Sequence, residues 1–412
     1  MAQNVFIIGK VWPEPDSSAA GSRMVQIIDL LREQGWEVTF VSAAAKSPFT
    51  ADLLEMGVKT ETIKLNDSGF DAYIKEIKPD VVIYDRFMTE EQFGWRVRDQ
   101  VPEAMTILDT EDLHCLREGR WKAWKEGRDF EAEDLYSDIA KREVASILRS
   151  DLSIMISGME MNILNQKFEI SNDKIIHIPF LLETLDENHV NNWHPFDKRE
   201  HFISIGNFLH EPNWNAVLYL KEEIWPKIRN KLPDVKLHIY GAYPSQKVEQ
   251  LHNAKEGFLI KGRADDAQKV VSDSRILLAP LRFGAGLKGK LIEAMQCGTP
   301  SVTTQIGSEG MHGYLPWPGV ICDDPNRFAE EAIKLYTNEE LWKKAQGNSI
   351  EIINTLYDKE QHGDNLIIRI NEIKENLHSH RMQHFTGEIL HHHTLGSSRY
   401  MSKWIEAKNR NQ

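Results

Sequence analysis

Short apolar, β-rich runs alternate along the chain with stretches whose apolar residues recur at helical spacing. Asn4–Ile8, Val38–Val41, Asp80–Tyr84, Met105–Leu108 and Asp151–Ile156 read as strands buried on both faces, the pattern of a parallel sheet. Between them, segments such as Arg23–Gln34 place Met24, Ile27, Ile28, Leu30 and Leu31 on one face that covers a sheet. After a polar, proline-containing stretch the alternation restarts, with strands expected at His201–Ile205, Val235–Tyr240, Gly257–Ile260, Arg275–Leu278 and Ser301–Thr304.

Two doubly wound α/β units in series are therefore expected: residues 1–185, a linker at 186–199, and residues 200–377. A helical appendage at 378–412 would pack back on the first unit. Such sheets bind ligands outside the carboxyl ends of their strands, so function should sit in the cleft between the units.

The net charge of −13 argues against nucleic acid as a partner, and any anionic ligand must meet a local basic pocket. Cys115, Cys297 and Cys322 are widely spaced, which excludes a disulfide framework and fits a reducing, cytoplasmic setting. No apolar run reaches about 18 residues, the length that suggests a membrane span. The run Arg117–Arg128 interleaves cations with Trp121 and Trp124; it reads either as peripheral contact with the inner face of a membrane or as a solvated helix with inward tryptophans. The tail histidines His378, His380, His384 and His391–His393 lack a carboxylate or Cys to complete a metal set.

The most informative segment is Leu277–Thr304: strand, Gly-rich loop, helix, Gly-Thr-Pro stop, strand. Gly284, Gly286 and Gly289 admit a ligand close to the backbone, and the following helix aims free N–H groups at a phosphate. Lys288 and Lys290, with Arg282 and Arg263 nearby, supply positive charge for a departing nucleoside diphosphate. Glu293, one turn into the helix, is placed to accept hydrogen bonds from ribose hydroxyls. The same loop also fits the G-x-G-x-x-G nicotinamide-cofactor pattern, with Glu309 about twenty residues on. Against that reading, the loop follows a late strand of its unit, whereas the cofactor pattern follows the first.

Phe283–Thr304 resembles the donor-site signature of family 4 and related GT-B glycosyltransferases, and Ile203–Leu218 is similar to the first strand, loop and helix of that donor domain. The resemblance implies a GT-B fold and a glycosyltransferase that moves a sugar from a nucleotide-diphosphate donor to a hydroxyl of a glycan, lipid-linked or small-molecule acceptor. It further implies retention of configuration, a role in polysaccharide or glycan assembly, and no metal or other cofactor; no Asp-x-Asp metal motif sits between an apolar strand and a loop. By the same resemblance, Gly206 and Asn207 belong to the donor site, Gly21 and Arg23 to a loop facing the donor phosphates and acceptor, and Asp112 and His114 to the reacting sugar. Lys290 joins them as a catalytic candidate, and Glu309 is expected to close over the donor sugar. Two departures stand out. The first of the family's two glutamates falls on Ala285, and its Arg and Lys after the first donor-domain strand fall near Asn207 and Pro212. These departures keep two other readings open, an epimerase on the same fold and a sugar-nucleotide binding protein without catalysis.

Overall fold

The computed structural model describes residues 3–410; the side chains of 393–395, 398 and 410, His393 among them, lie outside the described set. Two wholly parallel sheets form in sequence. The first contains β1 (Asn4–Gly9), β2 (Glu37–Ser42), β3 (Lys59–Thr62), β4 (Val81–Asp85), β5 (Met105–Asp109), β6 (Leu152–Met155) and β7 (Ile175–His177), in spatial order β3-β2-β1-β4-β5-β6-β7. The second contains β8 (Glu200–Ile205), β9 (Leu237–Tyr240), β10 (Phe258–Gly262), β11 (Ser274–Ala279), β12 (Ser301–Thr303) and β13 (Gly319–Ile321), in order β10-β9-β8-β11-β12-β13.

Alternation along each central strand feeds two cores. Val5 and Ile7 enter one cluster with Ile28 and Val38, while Phe6 and Ile8 point through the sheet to Phe70, Leu108 and Leu116. In the second sheet Phe202 and Ile203 divide in the same way. Both faces are covered by helices, which is why these strands carry no polar face.

The chain returns to the first unit sooner than the expected boundary at 377. Leu182 N–H donates to Tyr357 O (2.9 Å) and Lys359 N–H to Leu182 O (2.9 Å), so two crossings run side by side. The helix Lys359–Glu375 then buries Leu366, Ile370 and Ile373 in the first unit's core. Gly363 permits this approach, since a Cβ there would lie 2.7 Å from Leu30. The tail helix Phe385–Arg410 lies on the helices Phe87–Gln100 and Asp138–Arg149.

His380 and His391 of the tail act as packing groups. His380 Nε2 pairs with Asp151 O (2.8 Å) and His391 Nε2 with Arg149 O (3.0 Å). Among the described residues no three His, Cys, Asp or Glu side chains converge as a metal set, and no helix is long and apolar enough to cross a membrane. All three cysteines are free and buried.

Candidate active site

The carboxyl ends of the two sheets face each other across a cleft of about 1410 Å³. In each sheet the strand order reverses at one place, between β1 and β4 and between β8 and β11. Doubly wound sheets bind ligands at such points because the connecting loops diverge there and leave a crevice.

At the second reversal the Gly-rich loop enters the helix Gly289–Gln296. Gly286 has φ 62°, and a Cβ on it would meet Asp112 Cβ at 2.9 Å; one on Gly289 would meet Ala19 Cβ at 2.4 Å. Glycine is required here because the first unit presses directly on the loop. Gly286 N–H donates to Glu160 Oε1 at 2.6 Å, and Arg120 donates to Gly284 O at 2.9 Å. The front half of the loop is therefore occupied by protein partners.

The two loop lysines differ. Lys288 is buried and turns back to donate to Gly286 O (2.6 Å) and Ala285 O (3.3 Å), bracing the loop. Lys290 reaches Asn213 Oδ1 at 2.8 Å, beside Gly206, and no carboxylate lies within ion-pair distance among the described residues. Burial pushes its pKa down to about 7. A half-buried ammonium held only by a neutral amide in an open cleft has unused capacity for an anion. Glu293 lines the same cleft, and burial, with Asp266 and Asp16 nearby, pushes its pKa up to about 7.

Four expected site residues are engaged by protein partners. Arg23 is fully buried, donating to Asp109 Oδ1 (2.6 Å) and Ile178 O (3.0 Å), so it braces β5 instead of facing phosphate. Arg282 does not line the cleft; it lies over the rings of Tyr219 (4.3 Å) and Trp124 (4.8 Å) and donates to Asn215 Oδ1 (2.8 Å). Glu309 is held by both guanidinium nitrogens of Arg120 (2.6 and 2.8 Å). Asn207 lines the cleft and orders its own loop, accepting from Leu209 N–H (2.8 Å) and lying 3.4 Å from Ser17 O.

The remaining candidates line the cleft. Gly21 lets the Trp12–Ser17 loop fold onto the first helix, since a Cβ there would strike the Glu14 backbone at 2.5 Å. Arg263 lies over Phe49 (4.3 Å) and 3.8 Å from Asp16, joining the two units at the rim. Asp112 is paired with Arg117 and lies 3.4 Å from His114 Nδ1, and these neighbours pull its pKa down to about 2 despite burial. His114 opens the helix His114–Lys125, anchored by its own N–H on Glu143 Oε1 at 2.9 Å. Trp121 also lines the cleft, and Trp124 packs on Phe283 with centroids 5.1 Å apart.

Sequence reasoning passed over Glu160, Arg120, Asn213, Lys10, Arg86 and His210. Lys10 and Arg86 carried a usable signal, each following directly on a buried strand. Glu160 carried none, because a helical Glu becomes special only when a distant loop lands on it. His210 lines the cleft, and burial beside Arg117 pushes its pKa down to about 4.

Residues 199–338 match the family model described as "Glycosyl transferases group 1". An uncharacterized 44.6 kDa protein in the cps region of Klebsiella pneumoniae is 27% identical over 187 residues. That match spans 42% of this chain and about half, 48%, of the relative. A glycosyltransferase from Rickettsia africae superposes with a TM-score of 0.66 at 14% identity, covering 91% of this chain and 99% of its own. Anabaena HepE, in complex with UDP and glucose, gives a TM-score of 0.67 at 11% identity, covering 90% of this chain and 100% of its own. The chain thus has the two-domain GT-B fold of these glycosyltransferases, and its second domain is a glycosyl transferases group 1 domain.

Proposed function

We propose that the chain transfers a sugar from a nucleoside-diphosphate donor, held mainly by the second domain, to a hydroxyl of a glycan or lipid-linked acceptor entering along the first. The observation that carries this reading is Lys290, a half-buried cation with no carboxylate partner at the start of the helix Gly289–Gln296. The diphosphate would lie between Lys290 and that helix start, with Glu293 accepting from the ribose hydroxyls. Loss of the diphosphate is the step these groups assist, by neutralising the charge that grows on it. Asp112 and His114 face the donor sugar across the closed cleft and orient it against the acceptor. Positive charge for the leaving group comes from side chains, so the reaction is proposed to need no metal. Retention of configuration is proposed on the family resemblance. The uridine nucleotide and glucose bound by HepE make UDP-glucose the first donor to try. The cps-region relative points to surface-polysaccharide assembly.

The test is calorimetric titration, in the presence of a chelator, with UDP-, GDP-, ADP- and dTDP-sugars and NAD. Tight binding of one sugar nucleotide, weakened at least tenfold by Lys290→Ala and by Glu293→Ala, is the expected result; tenfold corresponds to about 1.4 kcal/mol. Binding of NAD alone, or binding indifferent to Lys290→Ala, rejects the donor site. Ala285, where the family carries a glutamate, favours a second reading of binding without turnover. An acceptor-dependent release of nucleoside diphosphate separates the two, and interconversion of the donor without acceptor would identify an epimerase.

A further inference from the structure

The first sheet has its own reversal point, between β1 and β4, and both strands end there on a basic residue: Lys10 follows β1 and Arg86 follows β4. Both line the cleft, with Arg117 of the helix His114–Lys125 beside them. Arg86 adopts φ 70° and ψ 157°, a region almost confined to glycine. Such a conformation costs on the order of 1–3 kcal/mol and persists only when the surroundings enforce it. Here the Arg86 N–H is held by Asp109 O at 2.7 Å.

Asp85, Glu111, Asp112 and Asp109 lie around these cations and hold the Arg86 pKa up against burial. Arg117 is paired with Asp112. Asp85 accepts from the Lys10 backbone N–H (3.0 Å), and its other oxygen stands 3.6 Å from Arg86 Nε without a hydrogen-bond partner. Glu111, the next carboxyl group, lies 3.5 Å from Arg23 Nη1, and burial and Asp109 push its pKa up. The Lys10 ammonium meets only the Met88 sulfur at 3.4 Å, with no carboxylate within ion-pair distance among the described residues. Burial lowers its pKa, with Arg86 and Arg117 adding to the shift and Asp85 and Asp112 opposing it. Among the described residues neither the Lys10 ammonium nor the Arg86 guanidinium is hydrogen-bonded to a carboxylate, and both line the cleft, which leaves their N–H donors available to an anion.

We propose that this crevice is an anion-binding acceptor subsite, in which Lys10 and Arg86, flanked by Arg117, hold a phosphate or carboxylate borne by the acceptor. The guanidinium fork and the ammonium suit both groups. The proposal rests on the donor reading above for the identification of the ligand as acceptor; the anion site itself does not depend on it.

Glucose 1-phosphate, glucuronate and methyl glucoside serve as probes, titrated calorimetrically into the full chain carrying Lys290→Ala, which disables the donor phosphate site. At least one of the two anions binds and methyl glucoside does not. Preference for glucose 1-phosphate assigns a phosphorylated acceptor, and preference for glucuronate assigns a uronic acid. Adding Lys10→Ala weakens the bound anion at least tenfold, whereas Lys10→Arg restores binding to within a few-fold, a rescue that a merely structural role would not produce. Lys10 is exposed, so its substitution spares the fold; Arg86→Ala is the second variant, with circular dichroism as the check on folding. Failure of both anions to bind, equal binding of methyl glucoside, or indifference to Lys10→Ala overturns the inference. Loss of sugar-nucleotide binding in the wild-type chain with Lys10-dependent anion binding intact overturns the donor reading alone.

Discussion

At the scale of single residues, charges of similar appearance in the sequence divide according to what lies opposite them. Arg23 and Lys290 were both candidates for phosphate, yet Arg23 is sealed against Asp109 at 2.6 Å whereas Lys290 meets only an amide. Arg23→Ala leaves the Asp109 carboxylate buried and unpaired, a change that costs about 3–5 kcal/mol. Thermal unfolding should therefore shift sharply downward while the folded fraction still binds nucleotide; a loss of binding with unchanged stability would return Arg23 to the phosphate site. Lys290 yields a pH prediction. Its pKa is lowered to about 7 by burial, so the unliganded chain loses this charge above pH 7, and a bound diphosphate must restore it. Nucleotide affinity should fall as pH rises through 7 toward 9, approaching tenfold per unit. Calorimetry at pH 8 in buffers of different ionisation enthalpy should register proton uptake, and a buffer-independent enthalpy would refute it. Gly286, Lys290 and Glu293 were legible because one contiguous segment carries them. The partners of Arg23, Arg282 and Glu309 come from other segments, and no local pattern encodes them.

At the scale of elements, the ten strands expected from apolar runs all form, whereas β3, β7 and β13 were not foreseen. Those three are sheet edges. An edge strand has one neighbour and less apolar surface to cover, so Lys59–Thr62 reads as polar coil until β2 pairs with it. The helix His114–Lys125 was read as a surface element, yet it spans the cleft and holds the Gly-rich loop through Arg120. If this contact sets the closed arrangement, Arg120→Ala and Glu309→Gln should each weaken donor binding. The double variant should be no worse than the weaker single one, with a coupling of about 0.5–3 kcal/mol in a double-mutant cycle. Strict additivity of the two effects would mean that the pair is incidental to closure.

At the scale of the whole molecule, the last fifty residues belong physically to the first domain. Arg381 pairs with buried Asp151 (2.8 Å), Arg98 with Glu388 (2.5 Å), and Arg96 Nη2 donates to Ser402 Oγ (3.1 Å). Ending the chain at residue 377 strips these partners and leaves Asp151 without its guanidinium, with Thr106 and Lys174 beside it. Calorimetric unfolding of that variant should split into two transitions, with the first domain melting lower and the group 1 domain unchanged; a single unshifted transition would show the tail to be dispensable. The sequence by itself determined the two-sheet architecture and the place of the Gly-rich loop, because buried parallel strands and a contiguous loop write their demands into local composition. Only the tertiary structure decided that Glu160 and Arg120 occupy the front of that loop, that Lys290 meets an amide and no carboxylate among the described residues, that Lys10 and Arg86 follow the strands at the first reversal point, and that the chain's end returns to its beginning. Each of these depends on which distant charges come within a few ångströms of one another, and that distance is set by packing, which no stretch of local sequence contains.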